Sequence, residues 1–224
     1  MPAARDSLLD AAYTALTARA WSDIRMVEVA AAAGVSRQTL YNEFGSKEGL
    51  ARALVRRETD HYLAGVARAL ARGGTGSSRT RRDGAARVVA AAAWTLRTAR
   101  VNPLVRAALT GCWGDRLPPL SPAAGPAPAE LVGRFCAQAV AALEPDWPAE
   151  ELPALGTACE TAARLTLSCV VAPPAPAPPE AAPPGRVPAQ RARRDQEAEV
   201  VSRLVRGAFG RLAGDGTQTA AGRG

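Results

Sequence analysis

The four residues Ala33-Gly34-Val35-Ser36 constrain this chain more than any other stretch. Before them, Met26, Val29, Ala30 and Ala33 recur at helical spacing. After them, Leu40 and Phe44 mark the inward side of a second helical segment that runs to about Phe44. Gly34 stands where a chain leaving a helix turns to positive φ, which costs glycine least. Val35 fits the angle between the two segments, and Ser36 carries a hydroxyl that can cap the second. The alanines at 30–33 let the helices approach closely. Residues 26–44 therefore read as a helix-turn-helix, a pair whose second helix enters the DNA major groove.

The outward face of that second helix has suitable chemistry. Arg37 can donate two hydrogen bonds to guanine, and Gln38 can pair with adenine. Thr39 offers a hydroxyl, and a methyl for thymine. Tyr41 and Asn42 can bond phosphate or a base edge. Gly45 ends the helix, and Ser46 can cap the next. Lys47, the one lysine, sits at the start of that next helix, where its charge and the adjacent free N–H groups favour a phosphate. A polar face alone would fit a solvated helical hairpin. The turn, the cap at Ser36, the polar face and Lys47 in one register favour DNA.

The rest of the chain reads as helical. Apolar residues make up 47%, but only 4% are aromatic and Ile24 is the one isoleucine. No clear alternating run of strand-forming residues occurs, so the fold class is all-α. A first helix is expected over 5–20, capped by Asp6 or Ser7, with Leu9, Ala12, Leu16 and Ala20 on one face. Trp21 packs at the turn that follows. A long helix continues through Leu50, Leu54, Tyr62, Leu63, Val66 and Leu70 to about Arg72. Residues 73–83 read as a flexible basic linker. Further helices are expected over 84–100, 103–110, 129–144, 151–171 and 190–213. Proline-rich stretches lie at 117–128 and 173–188. The expected organisation is a DNA-binding domain over 1–50, a larger helical ligand-binding and dimerisation domain over 51–213, and a disordered tail over 214–224.

The N-terminal region resembles the TetR family of bacterial transcriptional regulators. The resemblance rests on Leu9, Ala12, Leu16, Val29-Ala30, Ala33-Gly34-Val35-Ser36, Thr39-Leu40-Tyr41, Phe44 and Ser46-Lys47-Glu48, about the first quarter of the chain. It implies an all-helical homodimer that binds a palindromic double-stranded DNA operator, usually as a repressor. It also implies a divergent body that binds a small molecule and releases DNA. Three positions depart from the family pattern. Arg25 stands where a capping Thr is frequent, and Val27 where a polar residue often faces DNA. Glu43 stands where a basic residue or histidine is common, so its carboxylate should face an Arg of the protein or a cytosine amino group. By the same resemblance, the helices around 151–171 and 190–213 form the dimer interface. The stripe Leu155, Ala158, Ala162, Leu165 and Cys169 suits that role or an internal core. The segment Arg164-Leu165-Thr166-Leu167-Ser168 loosely resembles an actinobacterial branch tied to lipid or alkane metabolism.

The expected ligand walls are Trp94, Leu109, Trp113, Phe135 and Leu167. Few charged residues fall at inward positions of these helices, which favours a small apolar ligand. The net charge of +7 suits an anionic partner but includes an arginine-rich background. No apolar run approaches the ~20 residues of a membrane span, and the N-terminus lacks a signal pattern, so a cytoplasmic protein without membrane contact is expected. The four cysteines, Cys112, Cys136, Cys159 and Cys169, match no metal or redox spacing. With one histidine, His61, and no phosphate-binding glycine loop, no enzyme, metal or cofactor is expected. The alternative reading is a regulator whose signal is a protein partner or cysteine oxidation.

Overall fold

The computed structural model describes residues 2–72, 81–119, 125–173 and 199–210. Among these, all regular structure is helical. The helices are α1 (Pro2–Ala18), α2 (Met26–Ala32), α3 (Arg37–Phe44), α4 (Lys47–Arg72), α5 (Arg81–Val101), α6 (Pro103–Thr110), α7 (Pro128–Leu143) and α8 (Leu152–Val171). Residues 199–210 form α9. Single 3-10 turns occur at Trp21–Asp23, Glu144–Asp146 and Ala149–Glu151. Most of the expected linker, the proline-rich insertion and the tail lie outside the described residues.

The chain forms two compact units. The first comprises Met1–Tyr62 and Asn102–Leu131, the second Leu63–Val101 and Val132–Gly224. The core of the first unit is continuous. Leu8, Leu9, Ala12 and Leu16 of α1 meet Trp21, Ile24, Val29 and Ala30, together with Leu40 and Phe44 of α3, Leu50 and Leu54 of α4, and Leu104 of α6. Trp113 and Leu117, from the segment after α6, pack against the same core. The Trp21 backbone N–H donates to the Arg116 carbonyl at 2.9 Å, fixing that segment to the turn after α1.

Two expectations about α1 fail. The helix begins at Pro2, where proline's fixed φ suits a first turn, and not near residue 5. Ser7 is therefore interior, and its hydroxyl donates back to the Ala3 carbonyl at 2.9 Å. Neither Asp6 nor Ser7 is a cap.

A polar chain that runs from exposed Asp10 to buried Glu58 and Asn102 links three helices of the first unit. Arg57 donates to Asp10 of α1 at 2.7 Å and, through Nε and Nη2, to Glu58 Oε1 at 3.0 and 2.8 Å. Asn102 Nδ2 donates to Glu58 Oε2 at 2.7 Å, while Asn102 Oδ1 accepts from the Leu104 and Val105 N–H groups, both at 3.1 Å, and so caps α6.

In the second unit α5 packs on α8. Val88, Ala92 and Leu96 form a buried stripe of α5. On α8, Leu155, Ala158, Ala162 and Cys169 are buried within the single chain. An internal core already accounts for these four residues. Leu204 lies outward on the last helix, and the buried side of α9 is Val201, Val205, Ala208 and Phe209. Phe209 meets Trp147 edge-on, with ring centroids 6.4 Å apart. Gly65 lies against the Trp94 indole so closely that any Cβ there would run into the ring. Arg87 is a charged group at an inward position. It donates to the Leu70 and Ala142 carbonyls, both at 2.7 Å, and pairs with Asp146 at 3.3 Å.

Candidate nucleic-acid interface

The helix-turn-helix closes as its local signals dictate. The Gly34 N–H donates to the Ala31 carbonyl at 3.1 Å, and the Val35 N–H to the Ala30 carbonyl at 3.0 Å. These paired bonds close the end of α2, with Gly34 at φ +69°. Ser36 then caps α3, its Oγ accepting from the Thr39 N–H at 3.0 Å. Leu40 and Phe44 are buried. The remaining α3 side chains consequently point away from the core.

These outward groups differ in how free they are. Arg37 is exposed and makes no side-chain hydrogen bond or ion pair among the described residues. Tyr41 is also exposed, as is Val27 on α2. The Thr39 hydroxyl is already shared with Ser36 Oγ at 2.9 Å, so its methyl is the more available group for a base. Gln38 Nε2 donates to Asn42 Oδ1 at 2.9 Å, one turn further along the helix. Sequence reasoning assigned these residues to one face but did not detect the bonds between them.

The departures from the family pattern resolve locally. Arg25 occupies the N-cap of α2 without a capping side-chain bond. Glu43 faces Arg5 of α1, with Nη1 to Oε2 at 3.3 Å. The Arg5 guanidinium also lies 4.7 Å from the centre of the Phe44 ring. Glu43 pointed to an arginine at the end of α3, but its identity as Arg5 escaped sequence reasoning, because Arg5 arrives from another helix.

Lys47 is positioned by the first turn of α4. Ser46 caps that turn, accepting from the Gly49 N–H at 3.1 Å. Lys47 Nζ donates to the Ser22 carbonyl at 3.1 Å and lies 5.6 Å from the centre of the Trp21 ring. The Glu48 carboxyl is held below its usual range, first by its own backbone N–H and then by the Ser46 hydroxyl. A carboxylate of the protein thus stands at the turn that was expected to receive a phosphate, beside the ammonium of Lys47. A cleft of about 490 Å³ opens beside it, walled by Trp21, Ala51, Trp113, Leu117 and Pro118.

The five expected ligand-binding residues do not gather in one unit. Leu109, buried, and Trp113, half-buried, belong to the first unit. Trp94 and Leu167, half-buried, and Phe135, buried, belong to the second. Gln138, on α7 with Phe135, has a buried Oε1 without a hydrogen-bond partner among the described residues. A lone buried acceptor of this kind is invisible in a sequence.

Three of the four thiols are poorly placed for redox chemistry. Burial raises Cys136 and Cys169 above the usual thiol range and pushes Cys159 up to about 12. The reactive thiolate is disfavoured at all three. Cys112 is exposed. Among the described residues no His, Cys, Asp and Glu group is arranged to hold a metal, and no helix is long and apolar enough to cross a membrane.

Residues 8–54 match the family model described as bacterial regulatory proteins, tetR family. The HTH-type transcriptional regulator AlkX of Mycobacterium tuberculosis is 52% identical over 62 residues, 28% of this chain and 29% of that protein. The chain thus spans under a third of the length of that curated relative. Among solved structures, the TetR family repressor AlkX from Dietzia sp., implicated in biodegradation of n-alkanes, matches with a TM-score of 0.50 at 21% identity, over 93% of this chain and 95% of that one. A tetR-family transcriptional regulator from Streptomyces coelicolor matches with a TM-score of 0.52 at 18% identity, over 95% and 81% of the two chains. At these identities the likeness concerns the fold alone.

Proposed function

Because residues 8–54 match the tetR family model, we propose that this chain is a TetR-family transcriptional regulator and not an enzyme, binding a palindromic operator as a homodimeric repressor that a small apolar ligand releases. The observation that carries this reading is the outward face of α3. A short, doubly capped helix on a continuous apolar core presents Arg37, Gln38, Thr39, Tyr41 and Asn42 with Ser36 at its head, and Lys47 follows on α4. These groups suit base edges and phosphates, and no bulk charge is needed. A two-fold dimer would read half-sites one helical turn, or a multiple of it, apart.

Dimer contact is assigned to α8 and α9, where Val171 and Leu204 are exposed apolar side chains. The ligand is assigned to the second unit, around Trp94, Phe135 and Leu167, with the Gln138 carbonyl as a single polar anchor. Leu109 and Trp113, in the first unit, are left out of that assignment. The AlkX structure's link to n-alkane biodegradation makes n-alkanes the first compounds to test. Cysteine oxidation is the weaker reading, since burial keeps three of the four thiols protonated.

The test is selection of bound fragments from the source genome, followed by footprinting and a mass measurement in solution. The expected result is a two-fold symmetric footprint bound by a particle of two chains or a multiple, and released by an apolar compound. A protein that enriches no sequence above background sinks the reading.

A further inference from the structure

The polar side chains of α3 do not act one at a time. Gln38 and Asn42 lie one turn apart on its exposed face, joined by the Nε2–Oδ1 bond of 2.9 Å. We propose that the two amides form one reading unit, which in the order seen here suits an amino-bearing base, A or C, opposite Gln38 and a keto-bearing base, G or T, opposite Asn42, and which can change one choice only by changing the other. This rests on the operator-binding reading above and specifies the code that α3 applies.

The argument is one of hydrogen-bond supply. Each amide has one carbonyl oxygen and one NH2 group, and its terminal torsion is roughly two-fold. A solitary amide can therefore turn over and offer donor and acceptor in either order. In this pair, Gln38 commits one N–H to Asn42, and Asn42 commits its oxygen to Gln38. What remains toward the groove is the Gln38 oxygen with one N–H, and the Asn42 NH2. An oxygen accepts from the amino groups of adenine N6 or cytosine N4. An NH2 donates to guanine O6, thymine O4 or the N7 of either purine, and the amino group beside adenine N7 leaves G and T the better partners. Turning over one amide alone sets oxygen against oxygen or NH2 against NH2 and breaks the bond. The two choices are therefore tied.

The neighbouring Ser36–Thr39 contact works in the same sense. It holds the Thr39 hydroxyl at the helix start, at 2.9 Å from Ser36 Oγ, and takes up part of its hydrogen-bonding capacity beside Gln38.

The experiment is selection from randomised duplexes with the full chain and the Asn42→Ala and Asn42→Asp variants, read by sequencing. Melting curves confirm that the exposed substitutions leave the fold intact. The wild type should enrich sites with an amino base and a keto base at two neighbouring pairs, more often together than their separate frequencies predict. Asn42→Ala should lose the keto preference and also relax the amino preference opposite Gln38, by about three- to tenfold, the scale of one hydrogen bond. Asn42→Asp still accepts from Gln38 but has only acceptors left. It should keep the amino preference at the first pair and change the second from keto to amino. An Asn42→Ala protein with an unchanged preference opposite Gln38, or an Asn42→Asp protein that keeps the keto base, overturns the proposal. If the wild type enriches nothing while folding normally, the operator reading itself fails and takes the proposal with it.

Discussion

Helices α3 and α8 both carry polar side chains on an exposed side, yet they use them differently. On α8 the hydroxyls of Thr157 and Thr161 donate to the carbonyls of Pro153 and Thr157, at 3.1 and 2.8 Å. Glu160 and Arg164 pair one turn apart at 2.7 Å. These groups are satisfied within their own helix. On α3 the side-chain bonds run between amides and between hydroxyls, and each leaves donors or acceptors over. Arg37 is left with its whole guanidinium. Polarity on a helix face is therefore a poor guide to recognition, and unfilled hydrogen-bonding capacity is a better one.

The comparison can be broken or sharpened by substitution. The largest effect is expected inside the second unit. Arg87→Ala removes the ion pair to Asp146 and the donor to two carbonyls, and should cost about 3–5 kcal/mol of stability, read by denaturant unfolding. Any folded remainder should keep its operator preference. Arg37→Ala should do the reverse: unchanged melting, with operator affinity weaker by about 1–3 kcal/mol and one base preference relaxed. A next effect is expected at Lys47. Lys47→Ala should weaken binding to all sequences alike and lower the salt slope of log affinity by about 0.9, one phosphate contact. The smallest is Thr161→Val on α8, which should change stability by under about 0.5 kcal/mol and leave operator binding as it was. Operator binding that responds to Thr161 and not to Arg37 would invert the comparison.

The same distinction governs what the amino-acid sequence could reveal. The turn at Gly34, the caps at Ser36 and Ser46, the limits of α3, α4 and α6, and the inward set Leu40, Phe44, Leu50 and Leu54 were all legible. Each depends on neighbours within a few residues or on helical period. The start of α1 was misplaced because Asp6 and Ser7 have cap-like side chains, while Pro2 offered an earlier start that also obeys local rules. Glu43's partner was legible as a type, an arginine, but not as Arg5. The Arg57–Glu58–Asn102 chain and the buried Arg87 were not legible. A charged residue in a helix looks solvent-facing until its partners, 44 residues away for Asn102 and Glu58 and 59 for Arg87 and Asp146, are brought to it. The scatter of the expected ligand walls over two units has the same origin: helical spacing identifies apolar residues without saying which core they join.

The first unit draws on two separated stretches of chain, because Leu104, Trp113 and Leu117 complete the core around the helix-turn-helix and Arg116 receives the Trp21 N–H. This bears on chimaeras. A hybrid regulator made by grafting residues 1–62 onto a foreign body would inherit the reading head but not the residues that close it from beneath. Its partner sequence would have to offer an asparagine-like donor to Glu58 and an indole or similar plug where Trp113 sits. A transplant that carries residues 102–119 along with the head should therefore keep its operator preference where the shorter graft loses it.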